Sequence, residues 1–383
     1  MYDLAVKTDS ADRLVETLHL LNYLLNNSPS NFHAKLLCLQ IFNILGCSLG
    51  AHKIHESLEI KHIQLDSMGY LHCAHLPITG IPSLTKPLYD QTLKFFTASY
   101  KESLEYLAMS YKFGSFSKLQ EFMDFREKIS NSLHYSLISV EALILEIVCM
   151  NGTTQQNLLQ FQNMKIEPNE DRTKYEELTD NRDLDVVVRW DPTFQYAKVT
   201  GEIIKDPVPI HQKIKESEKE CFVQDTELLQ MRSHLLRLVA ASVDLIQEPY
   251  SGVAKEQVNG NSSSSSVSDE SFNLLIESWQ ELFNRVRKFN YQPLSGEFLV
   301  NLLPSRLHRM LQLPYENVFT ALSKFVFNLW IGNDNTKQFA DELTKSLEVV
   351  KVQVTNLKAI SENQGIWNFR DLQAVLVGCI EVS

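Results

Sequence analysis

Seven side chains able to ligate a metal crowd into one stretch of the sequence: Cys47, His52, His55, His62, His72, Cys73 and His75. His52 and His55 stand i, i+3 on one predicted helix, a spacing that can turn two imidazoles toward one ion. The spacings match no standard zinc arrangement, and no Cys-x2-Cys is present. Ordinary helix-surface histidines and buried thiols are therefore expected, and no metal ligand is assigned. Ser83-x-x-Lys86 and Ser115-x-x-Lys118 both fit a serine nucleophile with a nearby lysine. The Ser-Asp-Asn and Lys-Thr-Gly elements that accompany such a nucleophile are absent, as are Gly-x-Ser-x-Gly, a phosphate loop and a dinucleotide fingerprint. A small acetyltransferase would cradle acetyl-CoA pyrophosphate on backbone amides in a Gln/Arg-x-x-Gly-x-Gly/Ala loop at a helix start. Only Gly252 has Gly or Ala two residues on, at Ala254, and Pro249 stands where Gln or Arg is required. No catalytic and no cofactor-binding residue is assigned to this chain.

Composition narrows the partners. The 383 residues carry a formal net charge of -11, which repels a phosphate backbone unless basic residues concentrate in one place. The densest basic stretch, Arg285 to Lys288, lies on a predicted helix among acidic neighbours and reads as a solvated face. No apolar run reaches the roughly 18 residues that span a bilayer. The longest candidate, Leu137 to Met150, is broken by Glu141 and Glu146. Neither nucleic-acid nor membrane binding is expected. The N-terminus has no apolar leader, and the six cysteines (Cys38, Cys47, Cys73, Cys149, Cys221, Cys379) are scattered through helical contexts. Both features fit a reducing, cytoplasmic location. The N-x-Ser/Thr triplets at Asn26, Asn151 and Asn261 are then chance matches.

The elements that would position such side chains are helices. Tyr100, Leu104, Leu107, Ala108 and Tyr111 form one apolar stripe at helical spacing; Leu133, Leu137, Val140, Ile144 and Ile147 form a second. A third runs through Phe272, Leu275, Ile276, Trp279, Leu282, Phe283 and Val286. The only β-branched run is Val186-Val187-Val188. Gly46, Gly80 and Gly114 recur every 34 residues, each closing one predicted helix before another. Glycine suits such turns because it accepts positive φ without a Cβ clash. A 34-residue helix–turn–helix period is that of tetratricopeptide repeats, here without their full aromatic and alanine pattern. The expected fold is all-α: a tetratricopeptide-like helical-hairpin solenoid over 11–150, a connecting helix and irregular acidic segment over 151–215, and a C-terminal helical region over 216–383. A serine-rich flexible insert is expected at 251–269. Leu343, Leu347, Val350, Val354 and Leu357 have heptad spacing over about two heptads, which fits packing against neighbouring helices or a docking face. One hairpin cannot bury its own apolar face. The first predicted helix begins near Ala11 with no capping hairpin before it, so further repeats are expected upstream.

Several blocks carry a resemblance: Ser28-Pro-Ser-Asn-Phe-His-Ala-Lys-Leu-Leu37, Lys61-His-Ile-Gln-Leu-Asp-Ser-Met-Gly-Tyr-Leu71, Phe122-Met-Asp-Phe-Arg-Glu127, and Asp180-Asn-Arg-Asp-Leu-Asp185 leading to Trp190-Asp-Pro192. In order and spacing they resemble the auxiliary subunit of the NatB N-terminal acetyltransferase, the psidin family, as its C-terminal portion or a short isoform. The match is dense from about residue 14 to 192 and thins to helical pattern from about 216. The resemblance implies a cytosolic, non-catalytic scaffold that wraps a catalytic acetyltransferase subunit and helps bring it to the ribosome. That partner would hold the acetyl-CoA and acetylate chains that keep Met1 before Asp, Glu, Asn or Gln.

The polar block has two readings. Asp180, Asn181, Arg182, Asp183 and Trp190 are either a brace pinned by Arg182–carboxylate contacts over a buried tryptophan, or a contact with the partner. For the whole chain the competing reading is a tetratricopeptide-type adaptor that binds peptides or another complex.

Overall fold

The computed structural model describes residues 11–79, 81–183, 210–247, 269–287, 315–330 and 336–363, together with residues 377 and 381. Every regular element among them is helical. The first half holds α1 (Ala11–Asn27), α2 (Phe32–Ile44), α3 (Ser48–Ser57), three single-turn helices α4 (Gln64–Ser67), α5 (Tyr70–Cys73) and α6 (Leu76–Thr79), then α7 (Pro82–Lys112), α8 (Phe116–Ser130), α9 (Leu133–Val148) and α10 (Thr154–Asn163). The second half holds α11 (Ile210–Gln247), α12 (Asp269–Arg287), α13 (Tyr315–Trp330) and α14 (Thr336–Asn363).

Local chemistry sets the helix ends. Asn31 accepts from the Ala34 amide and opens α2, Ser132 accepts from the Tyr135 amide and opens α9, and Thr153 with Gln156 forms a capping box on α10. Gly46 and Gly114 adopt φ of 69° and 70° and make the α2–α3 and α7–α8 turns. In that left-handed region a side chain would strain the backbone. Gly80 itself lies outside the described residues, between the end of α6 and the start of α7. The hairpins do not repeat at constant length. Where the 34-residue spacing predicts a pair of similar helices, the chain makes three four-residue helices and then a 31-residue one. Pro77 and Pro82 lack the amides that would carry one helix through this stretch.

Successive helices pack on one another, α2 on α3, α7 on α8 and α9, and α13 on α14, while α9 meets α11 across the long connection. Leu133, Val140 and Ile144 of α9 join Leu229 and Leu236 of α11 in one apolar cluster, so the two halves share a core. The third stripe is buried throughout, with Phe272, Trp279 and Val286 fully enclosed against α11 and α13. The first stripe is not: Tyr100, Leu104 and Tyr111 are exposed, and small Ser103 and Ser110 turn inward instead. Small residues on the inner line let α7 and α8 approach closely, and this leaves the large ones outside.

Helix α11 begins at Ile210, inside the stretch read as irregular up to 215. Val186 to Val188 and residues 251–268 of the serine-rich insert lie outside the described residues, while Asp269 opens α12. Among the heptad positions of α14 whose burial is described, Val350 is buried in the core, Leu343 is half-buried, and Leu347 and Val354 are exposed. No helix among the described residues is long and apolar enough to cross a membrane.

Candidate interaction site: the strap from Thr179 to Asp183

The described part of the irregular acidic segment ends in a strap laid across five helices, α4, α5, α8, α9 and α11. Thr179 pairs with Ser132 in an isolated parallel bridge, its amide donating to Asn131 O and its carbonyl accepting from the Leu133 amide. Asn181 Nδ2 donates to Asp66 Oδ2 of α4 at 3.0 Å and to Lys128 O of α8 at 2.8 Å. Ser132 Oγ donates to the other Asp66 oxygen at 2.6 Å. Asp183 is held by its backbone: its amide donates to Ser67 O, and its carbonyl accepts from the Tyr70 hydroxyl at 2.7 Å.

Arg182 is the centre of this arrangement. Its side chain is 5% exposed. Nε and Nη2 donate to the two oxygens of Asp180, each at 2.8 Å, and Nη1 donates to Asp225 of α11 at 2.5 Å. Burial opposes the guanidinium charge, but Asp225 and Asp180 more than offset it, holding Arg182 protonated well above its ordinary range. The same burial raises the Asp66 carboxyl against the Ser132 and Asn181 donors. His134 lies beneath the strap, pushed down to about 3 by desolvation and by the Arg182 charge. A Cβ at residue 69 would fall 2.2 Å from Leu65 O and 2.7 Å from His134 Nε2, so Gly69 is what lets α9 come this close.

A second buried ion cluster ties α11 to α9 and to Glu381. Arg232, 1% exposed, donates to both oxygens of Glu141 at 3.0 Å and to both oxygens of Glu381 at 2.9 and 3.0 Å. Tyr315 also donates to Glu381. In the first cluster the Cys221 thiol donates to Asp225 at 3.5 Å, and burial with that carboxylate holds it well above the ordinary thiol range, as a neutral thiol. Two-sided carboxylate clamps on a guanidinium fix orientation rather than transfer protons.

Asp180, Asn181, Arg182 and Asp183 lie together in the strap, while Trp190 lies outside the described residues. Asp66, Ser132, His134 and Asp225 were not singled out. Ser132 had a legible signal, a serine just before an apolar run. Asp225 had none, since it sits 43 residues from Arg182 on a different helix. The histidines depart from expectation. His55 and His72 are 5% and 0% exposed rather than on the helix surface, and their rings lie tilted against each other. Among the described residues no three His, Cys, Asp or Glu side chains are arranged to hold a metal ion. Arg285 and Arg287 are engaged by Glu227 and Glu316, each at 2.5 Å.

Comparison with known proteins gives this architecture a family. Residues 1–184 match the family model described as N-acetyltransferase B complex (NatB) non catalytic subunit. Residues 188–383 match the Psidin-like, C-terminal domain. This chain belongs to the family of NatB non-catalytic, psidin-like subunits. The two family models meet just after the strap, where Asp183 ends the described first half. Among relatives of this psidin-like chain, the phagocyte signaling-impaired protein of Aedes aegypti is 44% identical over 387 residues, covering 100% of this chain and 38% of its own length. The N-alpha-acetyltransferase 25, NatB auxiliary subunit, of Rattus norvegicus is 30% identical over 294 residues, covering 77% of this chain and 28% of its own. The chain thus spans well under half the length of these relatives. A solved NatB acetyltransferase complex bound to a bisubstrate inhibitor contains a chain similar at a TM-score of 0.40 and 16% identity, covering 96% of this chain and 49% of that one.

Proposed function

We propose that this chain is a scaffold portion of a NatB auxiliary subunit. It supports a catalytic acetyltransferase and that partner's association with the ribosome, in the cytoplasm. In this reading the partner holds acetyl-CoA and acetylates nascent chains that keep Met1 before Asp, Glu, Asn or Gln. The observation that carries the proposal is the pair of family matches, which together take in nearly the whole chain. Tetratricopeptide-like stacking suits the role, because a stack of helices offers a long curved surface to a smaller protein. The polar clusters support it differently: they neutralise buried charge inside the molecule and lock helices together, as a rigid support requires. The test is affinity purification of the 383-residue chain beside a full-length relative, with mass spectrometry of what is bound. A small acetyltransferase and ribosomal proteins are expected. A clean full-length preparation without any acetyltransferase overturns the proposal.

A further inference from the structure

Three histidines meet where α3 packs on α5. The His55 and His72 rings lie 5.1 Å apart between centroids, and the His52 and His72 rings 5.6 Å apart, tilted by 33° and 38°. His72 is 0% exposed and His55 5%. Neither ring nitrogen of His72 has a hydrogen-bond partner, nor do His55 Nε2 and His52 Nδ1. Buried polar groups are nearly always bonded, and four orphan nitrogens in one stack are a deliberate-looking exception.

The charged surroundings are one-sided. On α3 the cluster holds His52, His55 and Glu56, whose carboxylate is 3.6 Å from His52 Nε2 at the exposed edge. Helices α2, α6 and α7 also pack on α5. The fields that reach His72 are those of His55, His75 and His52, and the field that reaches His55 is that of His52. The neighbouring Cys73 thiol is buried and held neutral, pushed up to about 12. Among the described residues, the charged groups whose fields act on the two inner rings are imidazoles. A proton placed on either would sit beside other imidazoles in an apolar joint.

We infer that the packed His55 and His72 rings form an acid-sensitive joint, closed while both are neutral and opened by their protonation, which parts α3 from α5. Burial, then the neighbouring imidazoles, depress His55 to about 4 and His72 to about 2. Both values lie below the ordinary 6.5 of an exposed histidine, so the open state binds more protons than the closed one. The joint is fully stable above pH 6.5. It weakens as pH falls from 6.5 toward 4, where His55 titrates in place, and His72 extends the loss further down.

Amide hydrogen exchange followed by mass spectrometry tests this on the whole chain at pH 7.5 and 5.5, expressed as protection factors so that intrinsic exchange cancels. Protection over residues 48–57 and 70–73 is expected to fall about tenfold for each ring that must take up a proton on opening, and so up to about a hundredfold. His72→Phe keeps a ring in the stack without a titrating nitrogen, and it should remove about tenfold of that loss. If His72→Phe fails to fold, His55→Phe serves the same comparison. Equal protection at both pH values in the unsubstituted chain overturns the inference. So does an undiminished loss in a folded phenylalanine variant.

Discussion

At the scale of single residues, the strap is a problem in buried charge. Arg182 sits between Asp180 and Asp225 with little solvent to share its charge. Removing one member of such a cluster leaves the others uncompensated, which costs about 3–5 kcal/mol. Arg182→Ala is therefore expected to lower the unfolding free energy by that much, and with it the urea midpoint, and Arg182→Lys should recover only part, since an ammonium cannot make the forked contact with Asp180. Asp183 behaves oppositely. Its hydrogen bonds come from backbone atoms and its side chain is exposed, so Asp183→Ala should leave the midpoint nearly unchanged. Urea titrations of the two variants side by side check both expectations. A loss of partner binding by Asp183→Ala at unchanged stability would mark the strap as a contact surface as well as a brace.

At the scale of elements, the same helical periodicity led to opposite outcomes. Helix α12 buries its whole stripe because α11 and α13 lie against it, and Trp279 stacks near His234 while meeting Phe283 edge-on. Truncating a fully enclosed tryptophan removes its transfer free energy and leaves a cavity, at about 3–5 kcal/mol. Trp279→Ala should lower thermal stability accordingly and abolish much of the near-ultraviolet circular dichroism from this helix cluster. Helix α7 carries an equally regular stripe, yet Tyr100, Leu104 and Tyr111 stay exposed even though Arg126 and Phe116 of α8 lie against the two tyrosines. Periodicity reports which residues share a face; it does not report how fully a neighbour covers that face.

At the scale of the whole molecule, Arg232 joins parts of the chain that are far apart in sequence, pairing with Glu141 across 91 residues and with Glu381 across 149. Together with the α9–α11 apolar contact it makes the two halves one body rather than beads on a string. Arg232→Met should cost about 3–5 kcal/mol, because two buried carboxylates lose their cation. Adding Glu141→Gln should return part of that loss, a coupling that a double-variant cycle measures directly. If the effects of the two substitutions simply add, the cluster does not couple the halves.

The sequence by itself determined the helical class, two of the three stripes that become core, the glycine turns at 46 and 114, and the lack of any recognisable catalytic or cofactor motif. These are local properties: spacing at 3.6 residues, a positive φ, a short motif. It also marked the Asp180 to Asp183 block as one unit. Only the tertiary structure decided what that block touches. Asp66, His134 and Asp225 reach Arg182 or Asn181 through chain crossings that leave no trace in spacing. The same holds for the histidines: His55 looks like a surface residue until α5 brings His72 onto it. A residue's neighbours across a helix interface depend on how whole elements pack, and burial, which sets charge and pKa, is a property of that packing.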